Sequence, residues 1–484
     1  MQQPGFIGPA YQLGSKNVDA QECINWFPEI NELGTGKNQE VAALIQRPGL
    51  TKLGTAGAGP CRGMWEKTAG GATHAVSGAK LYEITDPANP VERGTLETSI
   101  GPVGMADNGL QLLIVDGEKG YVLSYADNSF LIITDVDFPR ATHCAFQDQY
   151  LIVNEVGTRR FQVSALAGAT DWDALDFSSK EGLPDNLMAL VVDHRELILA
   201  GLKSTETWVN TGNLDFPFER VDGAFLEVGI AAAYSLIKFD NTVYAVARSK
   251  EGLGMVGRLV GRESQRLSTI PIERALTSYG DISSGTAWGY ELNRHAFYHL
   301  NFTGVPTTWT IDAQTGLWHE RRSMDAQGTL SRWRAQYHAI CGSRHIVGDY
   351  ENGNLYELDE DNFTDDGQPI FRRRRSPHAS AEGKRLFCSQ FQLDMESGAG
   401  PIPHLLDGRG NPRDPIVMFR VSKDGGHTWS QERTAGAGRV GEYSKRVIWH
   451  RLGQGRDWIF EVTVSDAFRA TLVSGWPEFE VARG

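Results

Sequence analysis

Cysteine is scarce, and no two cysteines form a metal-binding pair: Cys23, Cys61, Cys144, Cys341 and Cys388 lie far apart with no C-x-x-C among them. This spacing argues against a zinc site and against a secreted disulfide framework, leaving reduced, buried thiols as the expectation. Long apolar runs are also missing. The longest, around 229–236, falls far short of the about 20 residues a membrane helix needs, so no membrane insertion is expected. The opening Met1-Gln-Gln-Pro-Gly has no basic region followed by an apolar stretch, and no secretory signal is read there. A basic excess is absent: 47 Lys and Arg stand against 60 Asp and Glu, a formal net charge of −13. Generic nucleic-acid binders draw most of their affinity from phosphate neutralisation, so that class is disfavoured.

Sustained helical periodicity is lacking as well, and short strands take its place. With 40% hydrophobic and 22% charged residues the chain can bury a sizeable core, and its 54 glycines, spread without a three-residue period, point to many tight turns. Apolar runs recur as hairpin pairs bounded by Gly, Asn and Asp. They include 75–78 with 81–84, 112–117 with 120–123, 151–154 with 160–164, and 197–201 with 206–209. Further members are 242–247, 296–300 with 308–312, and 345–349 with 355–358. Successive units begin roughly 37 to 54 residues apart, the blade period of a β-propeller, and each apolar run reads as a blade's inner strand. The expected fold is therefore all-β. A six- or seven-bladed propeller spans 51–370, an extended segment at 1–50 packs on it or closes it, and a β-sandwich-like domain spans 371–484.

Ser422-Lys-Asp424-Gly-Gly426-His-Thr428-Trp429 fits S-x-D-x-G-x-T-W, the Asp-box of sialidase-type propellers. As chemistry it is a turn in which Ser and Asp bind local amides, and it is read here as structural. Gly252-Leu-Gly254-Met-Val-Gly257 satisfies G-x-G-x-x-G, but a strand rather than a helix follows, so a glycine-rich hairpin loop is preferred to a dinucleotide site. The run Arg372, Arg373, Arg374, Arg375 alternates sides if it is a strand and cannot form one cationic face. It is expected to pair with the acids of the loop Asp359–Asp366 and to bridge domains or subunits. That loop lacks the EF-hand spacing, and His295 and His299 lack H-E-x-x-H, so no metal is expected. There is no G-x-S-x-G elbow. No catalytic residue, cofactor or small-molecule substrate is assigned.

Several stretches carry a resemblance. Ile24-Asn-Trp-Phe-Pro-Glu29, Arg47-Pro-Gly-Leu-Thr-Lys-Leu53, Leu202-Lys-Ser-Thr-Glu-Thr-Trp208 and Tyr443-Ser-Lys-Arg-Val-Ile-Trp-His-Arg-Leu-Gly453 together resemble the tail accessory proteins of short-tailed phages, the P22-type packaged-DNA stabilisation family. The resemblance implies a non-enzymatic virion protein of the tail, assembled in the bacterial cytoplasm as a hexameric ring. The ring would contact the head-to-tail adaptor, needle and tailspikes and line a channel through which DNA passes transiently. Arg446, Trp449 and Arg451 join the arginine run as candidate interface residues, with core packing as the competing role for Trp449. A glycan-binding or sialidase-like propeller is the alternative, prompted by the Asp-box and twelve tryptophans. A repeated Trp-Asp scaffold signature is absent.

Overall fold

The computed structural model describes residues 5–8, 10, 16, 18–30, 42–68, 70–248, 254–398, 405–406, 409–410 and 413–481. The chain divides into two compact units: 52–305 with 334–358, and 1–51 with 306–333 and 359–484.

In the first unit, seven antiparallel sheets stand in a ring. Five have four strands each, at Cys61–Thr95, Gly104–Ile132, Cys144–Ser179, Leu187–Leu226 and Ile237–Arg266. The sixth is represented in this unit by the hairpin Thr286–Leu292 and His295–Asn301. The seventh joins Ala335–Cys341, Arg344–Asp349 and Asn354–Asp359 to the distant strand Gly49–Thr55. The first strands of neighbouring blades face one another all the way round, and the last, Ala335–Cys341, meets the first, Cys61–Glu66. The propeller thus has seven blades.

The apolar runs expected as inner strands are the second strands from the axis. Leu112–Val115 and Leu197–Gly201, for example, are buried throughout. A second strand has hydrogen-bonded neighbours on both edges and adjacent blades on both faces, so it carries the longest apolar run. The first strands line the axis on one side and alternate in burial. Ring closure uses the chain's beginning: Ala56 N donates to the Gly353 carbonyl (2.6 Å), and Thr55 Oγ1 donates to Asn354 Oδ1 (3.0 Å). The single α-helix among the described residues, Ile270–Ser278, has Pro271 in its first turn, where a missing N–H costs nothing, and buries Ile272 and Leu276 on one side.

The second unit is a sandwich. One sheet runs Leu317–Met324, Glu22–Ile24, Arg372–Arg375, Asp457–Val464, Ile416–Ser422, Arg433–Gly436, and the other runs Trp26–Ile30, Ala42–Gln46, Leu472–Val481, Leu386–Met395, Val447–Gly455. Between them Phe391 stacks on Phe460 (4.8 Å) and Phe419 on Trp449 (4.4 Å), with Trp26, Leu44 and Trp458 in the same core. Of the segment 1–50, expected to pack on the propeller or close it, residues 22–30 and 42–46 lie in this unit. These residues supply strands to both sheets of the sandwich, because Cys23, Trp26 and Leu44 fill its core and Trp26 Nε1 donates to the Ala470 carbonyl (2.8 Å). The unit is correspondingly larger than 371–484.

One buried arginine fastens these pieces. Arg47 donates from all five guanidinium N–H groups: Nε to Asn25 Oδ1 (2.8 Å), one terminal nitrogen to Asp365 Oδ1 (2.9 Å) and the Pro48 carbonyl (3.0 Å), the other to Asp365 Oδ2 (2.7 Å) and the Arg322 carbonyl (3.0 Å). Asn25, at φ 58°, uses its amide to hold the Arg322 and Phe371 carbonyls (2.9 and 2.6 Å), and its carbonyl accepts Arg47 N (3.2 Å). Gly49 follows because a Cβ there would sit 2.3 Å from the Asn362 carbonyl oxygen. Replacing Arg47 by Met strands the Asp365 carboxylate in the interior. The expected cost is about 3–5 kcal/mol in denaturant unfolding followed by tryptophan fluorescence, while Arg47→Met with Asp365→Leu recovers part of it.

Candidate functional site

The Asp-box closes the strand Ile416–Ser422 as a turn in the sandwich. Ser422 Oγ donates to Asp424 Oδ1 (2.7 Å) and accepts Gly426 N (2.8 Å). Asp424 accepts His427 N (3.1 Å), Thr428 N (2.9 Å) and Thr428 Oγ1 (2.6 Å). Gly425 and Gly426 take φ of 68° and 90°, where an L side chain is strained. Donation from the Thr428 hydroxyl and amide, joined by Ser422 and His427, lowers the Asp424 carboxyl to about 2. Every oxygen of this aspartate is engaged, so it has no free lone pair positioned for general-base work. Trp429 lies under the guanidinium groups of Arg375 (5.0 Å) and Arg420 (5.6 Å) rather than in the core.

The arginine run is a strand, and its side chains alternate. Arg372 and Arg374 are fully buried on one face. Arg372 binds Gln46 and the Asp466 carbonyl and donates to the Phe468 carbonyl (2.8 Å), and Arg374 reaches the Phe6 carbonyl (2.8 Å) and Gln21 Oε1 (3.0 Å). Burial lowers both guanidinium pKa values, Arg372 to about 9. These two cannot bridge subunits, because nothing outside the chain can touch them. Arg373 and Arg375 turn to the other face and bracket buried Glu461, at 3.5 and 2.6 Å, with Arg420 as its third partner; Glu22 also pairs with both (3.6 and 3.2 Å). Burial alone would raise the Glu461 carboxyl, but Arg373 and Arg375 outweigh it and hold it low. Glu22 is pushed up by burial despite Arg375.

The partners are thus Glu22 and Glu461, not the loop at 359–366. That loop's Asp365 is taken by Arg47, and its Asp361 pairs with Arg469 (2.8 Å). Trp449 is core; Arg446 and Arg451 are exposed, Arg451 at φ 60° in the strand Val447–Gly455.

No group of three or more His, Cys, Asp or Glu among the described residues is placed to hold a metal ion. His299, one of the pair four apart, lies tilted against Trp288 at 4.3 Å inside its blade. His338 and His345 share a 3.0 Å ring-nitrogen contact, and burial followed by the neighbouring imidazole lowers His338 to about 3. Gly252 lies outside the described residues, and Gly254–Val260 is a strand hydrogen-bonded to Thr242–Arg248.

Sequence reasoning missed one polar cluster. Lys180, fully buried, donates to Asp185 and Ser204; Ser204 Oγ donates to Asp185 Oδ1 (2.8 Å), and Asp185 Oδ2 accepts Lys203 N (2.6 Å). These donors, Lys180 first, outweigh burial and keep Asp185 ionised. A serine beside a lysine suggests a nucleophile and its base, but this ammonium is committed to a carboxylate in a sealed interior, so the trio acts as a clasp between 180–185 and 203–204. An open cleft of about 610 Å³ beside the Asp-box is lined by Arg385, Lys423, Arg456, Asp424 and Asp457. Its carboxylates are engaged, Asp457 by His378 (2.8 Å).

Lowering the pH probes the Asp-box. Its folded pKa lies below the unfolded value of about 3.9, so its stabilisation is present above that value and fades as pH falls toward 2. Between about pH 4 and pH 2 the melting temperature of wild type should therefore fall more steeply than that of Asp424→Ala, which starts lower at neutral pH.

Against known proteins, residues 19–363 match the family model described as "Bacteriophage P22 Gp10, beta-propeller" and residues 372–475 the model described as "Bacteriophage P22 Gp10, beta-sandwich". No curated protein matches the sequence. Solved structures similar to it include an extracellular domain described as that of the one component system BT4673 from B. thetaiotaomicron, at 10% identity and TM-score 0.44. The alignment covers 76% of this chain and 46% of that one, so the chain spans less than half the length of that structure. Another is the Cps50 (Swd1) beta-propeller domain of Myceliophteria thermophila, at 7% identity and TM-score 0.43, covering 64% of this chain and 98% of that one. With its propeller and its sandwich each matched in turn, the chain belongs to the phage P22 Gp10 family of packaged-DNA stabilisation proteins, structural components of the virion.

Proposed function

We propose that the chain is a hub subunit of a short phage tail. Six copies form a ring that follows the head-to-tail adaptor, holds the packaged DNA in place and surrounds part of its exit path, in contact with needle and tailspikes. Its work is assembly, without turnover of any substrate. The observation that carries this reading is family membership across both units, joined to a site inventory in which the conspicuous polar groups are spent on internal structure. Glu461, Asp365, Asp185 and Asp424 all sit in closed hydrogen-bond or ion-pair networks. The glycan reading loses its prompt, because the Asp-box is a turn of the sandwich rather than a propeller repeat.

Each copy brings a net charge of −13, and a ring multiplies it. Walls of that sign repel phosphate and let DNA slide without a salt-dependent grip. Mixing the purified chain with the portal–adaptor complex and counting copies by electron microscopy tests the ring; a preparation that adds no ring to the adaptor overturns it. Binding of a short duplex to the assembled ring at low salt is expected to be weaker than micromolar, and tighter binding contradicts the sliding wall.

A further inference from the structure

The chain's charge is polarised. Residues 371–484 carry 18 Lys and Arg against 13 Asp and Glu, net +5, which leaves −18 on residues 1–370. Two exposed surfaces, one of each sign, concentrate the split, and each has bare apolar side chains at its centre.

The acidic surface lies at the outer edge of the second and third blades. Trp172 N donates to Asp135 Oδ2 (3.0 Å), and Gln162 Nε2 donates to the carbonyls of Asp137 and Asp173 (3.1 and 2.8 Å), so the segment 135–137 and the outermost strand Trp172–Ser179 are tied together. Phe138 packs edge-on to Trp172 at 5.0 Å. Val136 is 93% exposed and Leu175 79%. Asp135, Asp137, Asp173 and Asp176 have no cationic partner among the described residues, and Asp176 is pushed up by burial and by Asp173. The strand is the last of its sheet.

The basic surface is the turn ahead of Val447–Gly455. Its base is anchored: Arg439 binds Asp414 (2.9 Å), and Arg439 N donates to Glu442 (3.2 Å). Beyond that anchor Val440 is 59% exposed and Tyr443 73%, and the exposed Lys445 and Arg446 have no carboxylate partner among the described residues.

We propose that these two surfaces bind each other in neighbouring copies of this chain. The acidic ledge around Val136 and Leu175 of one copy receives the turn bearing Val440, Tyr443, Lys445 and Arg446 of the next. Apolar side chains in the middle of a charged rim are what a specific interface needs. A two-fold axis through either surface alone would set like charges against each other, whereas acidic surface on basic surface repeated from copy to copy is a heterologous contact, the kind that closes into a ring or runs on as a filament. DNA could use the basic turn but leaves the acidic ledge without a partner. The inference rests on the ring reading above and names the contact that would build the ring.

Charge swapping tests it on the full chain assembled on the portal–adaptor complex. Lys445→Glu/Arg446→Glu and, separately, Asp173→Lys/Asp176→Lys should each reduce ring formation by at least about tenfold at equal concentration. Both should keep melting temperatures near that of wild type, because Asp173, Lys445 and Arg446 are exposed and Asp176 is only half-buried. The chain carrying both swaps should form rings again, since every contact keeps an opposite sign. Normal rings from both single-surface variants, or no recovery in the combined variant, overturn the inference and leave the ring standing. So does a Lys445→Glu/Arg446→Glu chain that assembles normally and loses only duplex binding. Absence of a ring from wild type removes the ring reading itself.

Discussion

The sandwich depends on a cation sealed inside it. Arg47 has no water to fall back on, so each of its five N–H groups must find an acceptor in the protein, and the acceptors come from residues 25, 48, 322 and 365. Satisfying one guanidinium fixes the relative positions of four chain segments. It sets the start of Gly49–Thr55, the strand that completes the seventh blade. It also holds Asn25 in a left-handed conformation between two strands that lie in different sheets. A lysine would supply three donors from a point charge and leave the forked geometry unfilled.

The same economy governs the four arginines of 372–375. Such a run invites a reading as a nucleic-acid patch, yet strand alternation sends two into an interior lined with carbonyl oxygens and two against Glu22 and Glu461. Their charge is consumed locally. Little of it reaches solvent to offset the net charge of −18 on residues 1–370.

Where function left short-range marks, the sequence was readable. The seven hairpins stand out because each is a local pairing of one apolar run across a Gly, Asn or Asp turn, and the Asp-box because its hydrogen bonds span four residues. What escaped is non-local. Nothing in Glu22 or Glu461 advertises the arginine run as partner, whereas the loop at 359–366 lies next to it in sequence and draws attention for that reason alone. Strand register decides instead: Arg375 pairs with Glu461 across one edge and Glu22 across the other. The second-strand position of the apolar runs was likewise hidden, because burial on both faces does not say which neighbour lies nearer the axis. Arg47-Pro-Gly was visible as a motif, but its partner, 318 residues away, was not.

Those separations shape how the molecule comes into being. Trp26 is hydrogen-bonded to a residue 444 positions later, and Thr55 to one 299 positions later, so neither unit can close until most of the chain exists. Contacts that span so much sequence are entropically expensive to bring together and slow to form. The first five blades are sequentially local and can form as the chain emerges. The seventh blade and the sandwich must wait for Asn354–Asp359 and Arg372–Arg375, and until then the strands at 22–55 expose open edges and the side chains of Cys23, Trp26 and Leu44. Both units therefore close only after the strand Asn354–Asp359 has been made, and the sandwich only after Leu472–Val481.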